Sequence, residues 1–106
     1  MVLQFSGRLP ALETVRLEDK SARLDGIIVV HSTTLGPGAG GCRLWHYPDL
    51  DQAFTDAFRL AEGMSYKNAM AGLPFGGAKA VLRRPDGPFD RAALFRAFGQ
   101  AVAALN

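Results

Sequence analysis

Residues 63–79, GMSYKNAMAGLPFGGAK, carry two lysines twelve positions apart, Lys67 on a helical pattern and Lys79 just past a glycine-rich turn. Lysines stay out of protein interiors unless something is gained by placing them there. Both stand here among apolar neighbours, so chemistry is sought in this segment. A fixed ammonium is a good partner for a small carboxylate. A second lysine brought beside it suffers like-charge repulsion and desolvation, and both favour its neutral form. Such an amine can serve as general base or acid near neutral pH. Glycines beside it would give a ligand access to backbone. The plainer alternative is two snorkelling lysines at element ends. Periodicity gives facing and not distance, so both readings stand at this point.

Other candidate chemistries fare worse. Cys42, the single cysteine, lies near His46, but two ligands do not close a zinc site and only His31 is at hand as a third. A packed or incidental Cys42 is expected. Gly36, Gly38 and Gly41 satisfy G-x-G-x-x-G after a strand. That fingerprint needs a helix opening directly on the glycines to hold a pyrophosphate. Here residues 43–45 and Pro48 intervene, and Pro37 removes a backbone donor. Residues 72–79 approach a P-loop, yet the lysine comes one place late and Ala80 cannot ligand magnesium. The local order, helix then loop then strand, is also the reverse of what a P-loop requires.

Composition narrows the field further. The chain has 106 residues, 48% hydrophobic and 21% charged, a normal make-up for one globular domain. Its net charge of +2 comes from scattered Lys and Arg with no basic stripe, so nucleic acid is not an expected partner. One cysteine rules out an internal disulfide framework and fits a reducing compartment. The opening MVLQFSGR lacks the apolar core of a signal peptide, and no apolar run nears the ~20 residues of a membrane span. A cytoplasmic location is expected.

The elements that must position the lysines follow from patterning. Residues 14–18 alternate, with Val15 and Leu17 on one side, and predict a half-exposed strand whose edge is open to pairing. Residues 27–30, IIVV, are apolar on both faces and predict a central strand antiparallel to it. GPGAGG (residues 36–41) reads as a loop, and residues 42–45 as a third strand. Asp49 is a good N-cap, with Gln52 three positions on. Ala53, Ala57, Leu60 and Met64 then form one stripe of a long helix. Continuing that count lands on Lys67, which points the lysine into the packed or cleft side. Gly72 and Pro74 end the helix, and residues 78–83 predict a strand buried on both sides. Asp90 caps a last helix whose stripe is Leu94, Phe98, Ala101 or Val102, and Leu105, with Phe89 and Leu94 as a staple. The order β-β-β-α-β-α predicts an α/β domain: a mixed sheet with helices packed on it, in two or three layers. No repeats or interdomain linkers interrupt it, so residues 1–106 read as a single domain.

TTLGPGAGGCRLW (residues 33–45) and residues 63–79 together resemble the N-terminal, substrate-binding and dimerisation domain of the glutamate/leucine/phenylalanine/valine dehydrogenase superfamily. The resemblance runs from Gly26 to Asn106. It implies oxidative deamination of an L-amino acid to a 2-oxo acid and ammonia, with hydride passing to NAD. Lys67 then looks like the lysine that grips the substrate carboxylate. Lys79 looks like the catalytic lysine that assists water attack on the imine and the proton transfers. Gly40, Gly41 and Met64 match positions lining the substrate site. Glutamate-specific relatives carry a lysine in the glycine run, where this chain has Ala39. An apolar amino acid is therefore the expected substrate, with leucine, valine and phenylalanine open and Asn68 leaning to the branched-chain enzymes.

The resemblance also implies a catalytic aspartate and a NAD-binding Rossmann domain beyond residue 106. Neither is in this sequence, so the chain is read as a domain fragment, inactive alone, that forms a homo-oligomer. The rivals are a stand-alone module that binds an amino acid or oxo acid without chemistry, and a fragment that only self-associates.

Overall fold

The structure, a computed structural model, describes residues 2–4 and 13–105. Most of the opening MVLQFSGR and the final Asn106 lie outside the described residues. The elements in chain order are β1 (Val2–Gln4), β2 (Glu13–Asp19), β3 (Leu24–Val30), β4 (Gly38–Ala39), β5 (Cys42–Trp45), α1 (Leu50–Met70), β6 (Gly76–Arg83) and α2 (Arg91–Ala104). This is the expected order with two short strands added, one at the start and one inside the glycine run.

One mixed sheet holds the strands together. β1, β2, β3 and β6 pair antiparallel in that sequence, while β4 and β5 pair parallel with β6 along its other edge. The β-branched run of β3 is central, flanked by β2 and β6, as residues apolar on both faces require. β5, α1 and β6 form a parallel crossover unit, so α1 runs back over the sheet antiparallel to both strands.

Helices cover both faces, giving three layers. Ile27, Val29 and Val81 face α1 and pack with Ala53, Phe54, Ala57 and Ala61. Val15, Leu17 and Leu82 turn to the other face and pack with Leu94 and Ala97 of α2. β6 therefore contributes Val81 to one core and Leu82 to the other. Each fully buried Val or Leu of this kind stabilises the fold by about 1.5–3 kcal/mol.

Three expectations need correction. The strand over residues 14–18 has no open edge, because β1 pairs along it in the register Leu3 opposite Arg16, and Thr14 is buried. The glycine run is not all loop, since Gly38 and Ala39 pair with Gly76 and Gly77. The stripe of α2 runs through Ala101, which packs on the core, while Val102 and Leu105 are exposed.

Candidate functional site

The site starts from how α1 begins and ends. Asp49 adopts extended backbone and its carboxylate accepts from the Gln52 amide at 2.8 Å, as the capping pattern requires. At the far end Gly72 sits at φ +72. Its N–H reaches the Ala69 carbonyl, and the Leu73 N–H reaches that of Asn68 at 2.9 Å. This 6→1 and 5→2 pair is the Schellman arrangement, which favours glycine in the left-handed position.

The chain then turns into β6 in very close contact with the helix. A Cβ on Gly77 would lie 2.2 Å from the Ala61 carbonyl oxygen and from the Ser65 amide, so only glycine fits under α1 there. Two carbonyls at this entry are held individually. The buried Asn68 amide donates to Gly76 O at 2.9 Å, and the His31 N–H donates to Gly77 O at 2.8 Å. His31 also meets Ser65 Oγ through Nδ1 at 2.8 Å, and its Nε2 lies 3.8 Å from Glu62. This strand entry is pinned from both sides.

Lys79, two residues before Val81 on the face toward α1, is half-buried. Its Nζ comes within 3.3 Å of where a Cβ on Gly41 would stand. The Cys42 thiol feels it as well: burial pushes the thiol up, and the Lys79 ammonium pulls it partly back. Gly40, next along, is packed so tightly that a Cβ would fall 1.6 Å from the Ala78 carbonyl oxygen. Ala39 lies opposite Gly77. The glycine run is thus laid against the strand that carries Lys79.

Lys67 is not buried as the helical count implied; it is exposed. The buried stripe is Ala53, Ala57, Ala61 and Asn68, with Phe54 at its side. Steps alternating four and three drift off a helix of ~3.6 residues per turn, leaving Lys67 about 100° from Asn68. Lys67 instead shares a flank with Asp56, eleven residues or about three turns earlier. That flank faces β5, because Asp56 ion-pairs with Arg43 at 3.6 Å and receives the Tyr47 hydroxyl. Lys67 therefore overhangs the β4–β5 side of the sheet at the C-terminal end of α1. Lys79 reaches toward Gly41 on the same side. Met64, half-buried, lies between that flank and the stripe. Lys67, Lys79, Gly40, Gly41, Ala39 and Met64 share one end of the domain.

The polar cluster on this flank sets local electrostatics. Burial pushes the Asp56 carboxyl up, but hydrogen bonds from Tyr47 and Arg59 and the charges of Arg43 and Arg59 outweigh it and hold it below the usual carboxylate range. Burial and then the bond to Asp56 push the Tyr47 phenol up. On the opposite face of the sheet, Gly38, Gly40, Cys42, Phe98 and Val102 line a cavity of about 420 Å³ that Lys79 borders. A second cavity of about 690 Å³ lies at the far end, around Tyr47, Arg83 and Arg84, away from both lysines.

The glycine run does not cradle a dinucleotide. Gly38–Ala39 and Cys42–Trp45 are strands, and among the described residues no helix opens on these glycines. The described residues therefore form no pyrophosphate cradle for a nicotinamide cofactor.

A mixed sheet with helices packed on it is the architecture of an amino-acid dehydrogenase N-terminal domain. The sequence matches the family Glu/Leu/Phe/Val dehydrogenase, dimerisation domain, over residues 11–106, and the chain belongs to that family. It is 48% identical to a leucine dehydrogenase of Geobacillus stearothermophilus over 89 residues, 84% of this chain and 24% of the relative. It is 47% identical to a phenylalanine dehydrogenase of Lysinibacillus sphaericus over 94 residues, 89% of this chain and 25% of the relative. The crystal structure of an L-tryptophan dehydrogenase from Nostoc punctiforme superposes with a TM-score of 0.83 at 36% identity, covering 92% of this chain and 29% of that one. The chain thus spans about a quarter of the length of the curated relatives it matches.

Pattern reading weighed His31 only as a third zinc ligand, passed over Ser65, and took Asn68 only as a hint of substrate class. A signal for Asn68 was present. Counting from Ala53, Ala57 and Ala61 places an asparagine at the end of an otherwise apolar stripe, and a buried amide requires a partner.

Proposed function

We propose that this domain holds the substrate of an NAD-dependent L-amino-acid dehydrogenase. Lys67 meets the carboxylate of an apolar amino acid or its 2-oxo acid. Lys79 carries the proton transfers that assist water addition to the imine. Gly40 and Gly41 present backbone, and Met64 and Ala39 border the side-chain end. Ala39 supports an apolar substrate, since a glutamate side chain would need a cation where this chain has a methyl group. The named relatives act on leucine, phenylalanine and tryptophan, which points the same way. NAD would be held outside the described residues. The dimerisation-domain family and a hetero-hexameric glutamate dehydrogenase of Thermus thermophilus, with a TM-score of 0.64 at 28% identity and covering 99% of this chain and 23% of that one, favour an oligomeric enzyme.

The observation that carries this reading is the Lys79 ammonium lying against Gly41 on the side that Lys67 overhangs. The test is leucine-, valine- and phenylalanine-dependent NADH formation by the full-length protein that bears this domain. Activity with at least one of them, lost about a thousandfold or more in Lys79→Ala, agrees with transition-state groups of this kind. Absence of turnover with bound oxo acid would favour a binding module instead.

A further inference from the structure

The last turn of α1's buried stripe is an unexpected place for an amide. Ala53, Ala57 and Ala61 fill the earlier turns of that stripe, while Asn68 takes the last one at 6% exposure. Burying an amide is costly unless it is hydrogen-bonded, so an apolar residue would serve packing at least as well. What Asn68 supplies is direction. Its side chain reaches Gly76 O at 2.9 Å, and because a carbonyl only accepts, the amide nitrogen is the atom that faces it. Its backbone carbonyl accepts from Leu73 N–H at 2.9 Å. One residue thereby fixes both the end of the helix and the start of the strand.

Its position in the chain gives that bond a consequence. Asn68 directly follows Lys67, and Gly76 stands three residues before Lys79. The hydrogen bond is a short bridge between the lysine-bearing helix and the lysine-bearing strand, bypassing the loop of residues 71–75. Two backbone bonds also hold this entry, His31 N–H to Gly77 O from the end of β3 and Gly76 N–H to Pro37 O at 3.0 Å from the glycine run, and neither comes from α1; the His31 ring reaches α1 through Ser65 Oγ. The steric contact of Gly77 with Ala61 and Ser65 sets the spacing of helix and strand. Contact of that kind leaves sliding along the strand direction weakly restrained, whereas a directional bond to one carbonyl fixes it.

We propose that Asn68 is a positioning residue that sets the register of Lys79 against Lys67. Its consequence for catalysis rests on the function proposed above; its geometric content does not. The experiment uses the chain labelled with ¹³C and ¹⁵N, free of ligand, and reads the nuclear Overhauser contact between the Ser65 β-protons of α1 and the Gly77 α-protons of β6, which meet across the helix–strand seam. Asn68→Leu keeps comparable volume and removes the donor. The expected result is loss of the Ser65–Gly77 contact with the Ile27–Val81 contacts of the core retained. An unchanged Ser65–Gly77 contact in the folded variant would overturn the proposal and leave Asn68 a packing residue. Should Asn68→Leu fail to fold, Asn68→Ser makes the smaller change and is read by the same contact with the same two outcomes.

In the full-length protein Asn68→Leu is expected to lower kcat/KM about a hundredfold, the effect of a misplacement of about 1 Å. The pH profile should be displaced with it, which a loss of stability alone would not do. A wild type without turnover would refute the proposed function, while the ligand-free contact would still decide the role of Asn68.

Discussion

Adjacent glycines in the run beside Lys79 should respond oppositely to the same substitution. In Gly40→Ala the new Cβ falls 1.6 Å from the Ala78 carbonyl oxygen, a backbone atom fixed within β6. Relief requires more than an ångström of movement between the glycine run and β6. The cost should reach or exceed the roughly 1–3 kcal/mol typical of overpacked cores. In Gly41→Ala the Cβ falls 3.3 Å from Lys79 Nζ, the free end of a flexible side chain. The amine yields by a few tenths of an ångström, and the less flexible unfolded chain returns about 0.4–1 kcal/mol. At about 4–8 °C per kcal/mol for a domain near this size, thermal melts should place Gly40→Ala about 4 °C or more below wild type. Gly41→Ala should melt level with wild type or above it, by no more than about 8 °C on the same scale. Gly41→Ala should nonetheless weaken oxo-acid binding, since it displaces the amine. Equal destabilisation by both would mean that Lys79 does not end freely at Gly41. Tolerance of both would mean that the glycine run is not laid on Ala78.

Further expectations follow from the same geometry. Lys79→Ala removes the charge that pulls the Cys42 thiol down against its burial, so iodoacetamide should alkylate Cys42 more slowly in the variant at pH 8; faster alkylation would place the lysine elsewhere. Asp56 is held below its ordinary value, so its contribution to stability is present above the unfolded carboxyl value of about 4 and is lost as pH falls through the lower folded value. Asp56→Asn should therefore flatten the acid limb of the stability curve, and an unaltered limb in urea melts would count against the cluster with Tyr47 and Arg59. Leu82→Ala, in a fully buried side chain, should cost about 2–5 kcal/mol, whereas exposed Val102→Ala should stay within about 0.5 kcal/mol. Gly72→Ala, at φ +72, should cost about 1–2 kcal/mol through the left-handed conformation alone.

Much of the fold was legible because each element carries local chemistry that agrees with its environment. IIVV of β3 reads as central since a strand covered on both faces needs apolar residues at every position. The caps at Asp49 and Asp90 and the stop at Gly72 are visible as residue types. What the sequence hides are partners. β1 is too short to announce itself, so the edge of β2 looked open. Gly38 and Ala39 carry no strand signal, because their pairing with Gly76 and Gly77 is imposed by close approach rather than by propensity. Lys67 was misdirected by a stripe counted at a period of 3.5, an error that accumulates over about four turns until the neighbouring Asn68 holds the buried position. The lysines and the glycine run were identified as site candidates by motif; the bond that links their two elements required coordinates.

The claim on which the account depends is that Lys67 and Lys79 serve one small anion. Titration of the ¹³C-lysine-labelled chain with 4-methyl-2-oxopentanoate, the oxo acid of leucine, addresses it directly. The Lys67 and Lys79 ε-carbon signals should move along a single binding curve, and the Lys79 signal should no longer move in Lys67→Ala. Two independent curves, or a response from only one of the pair, would contradict it.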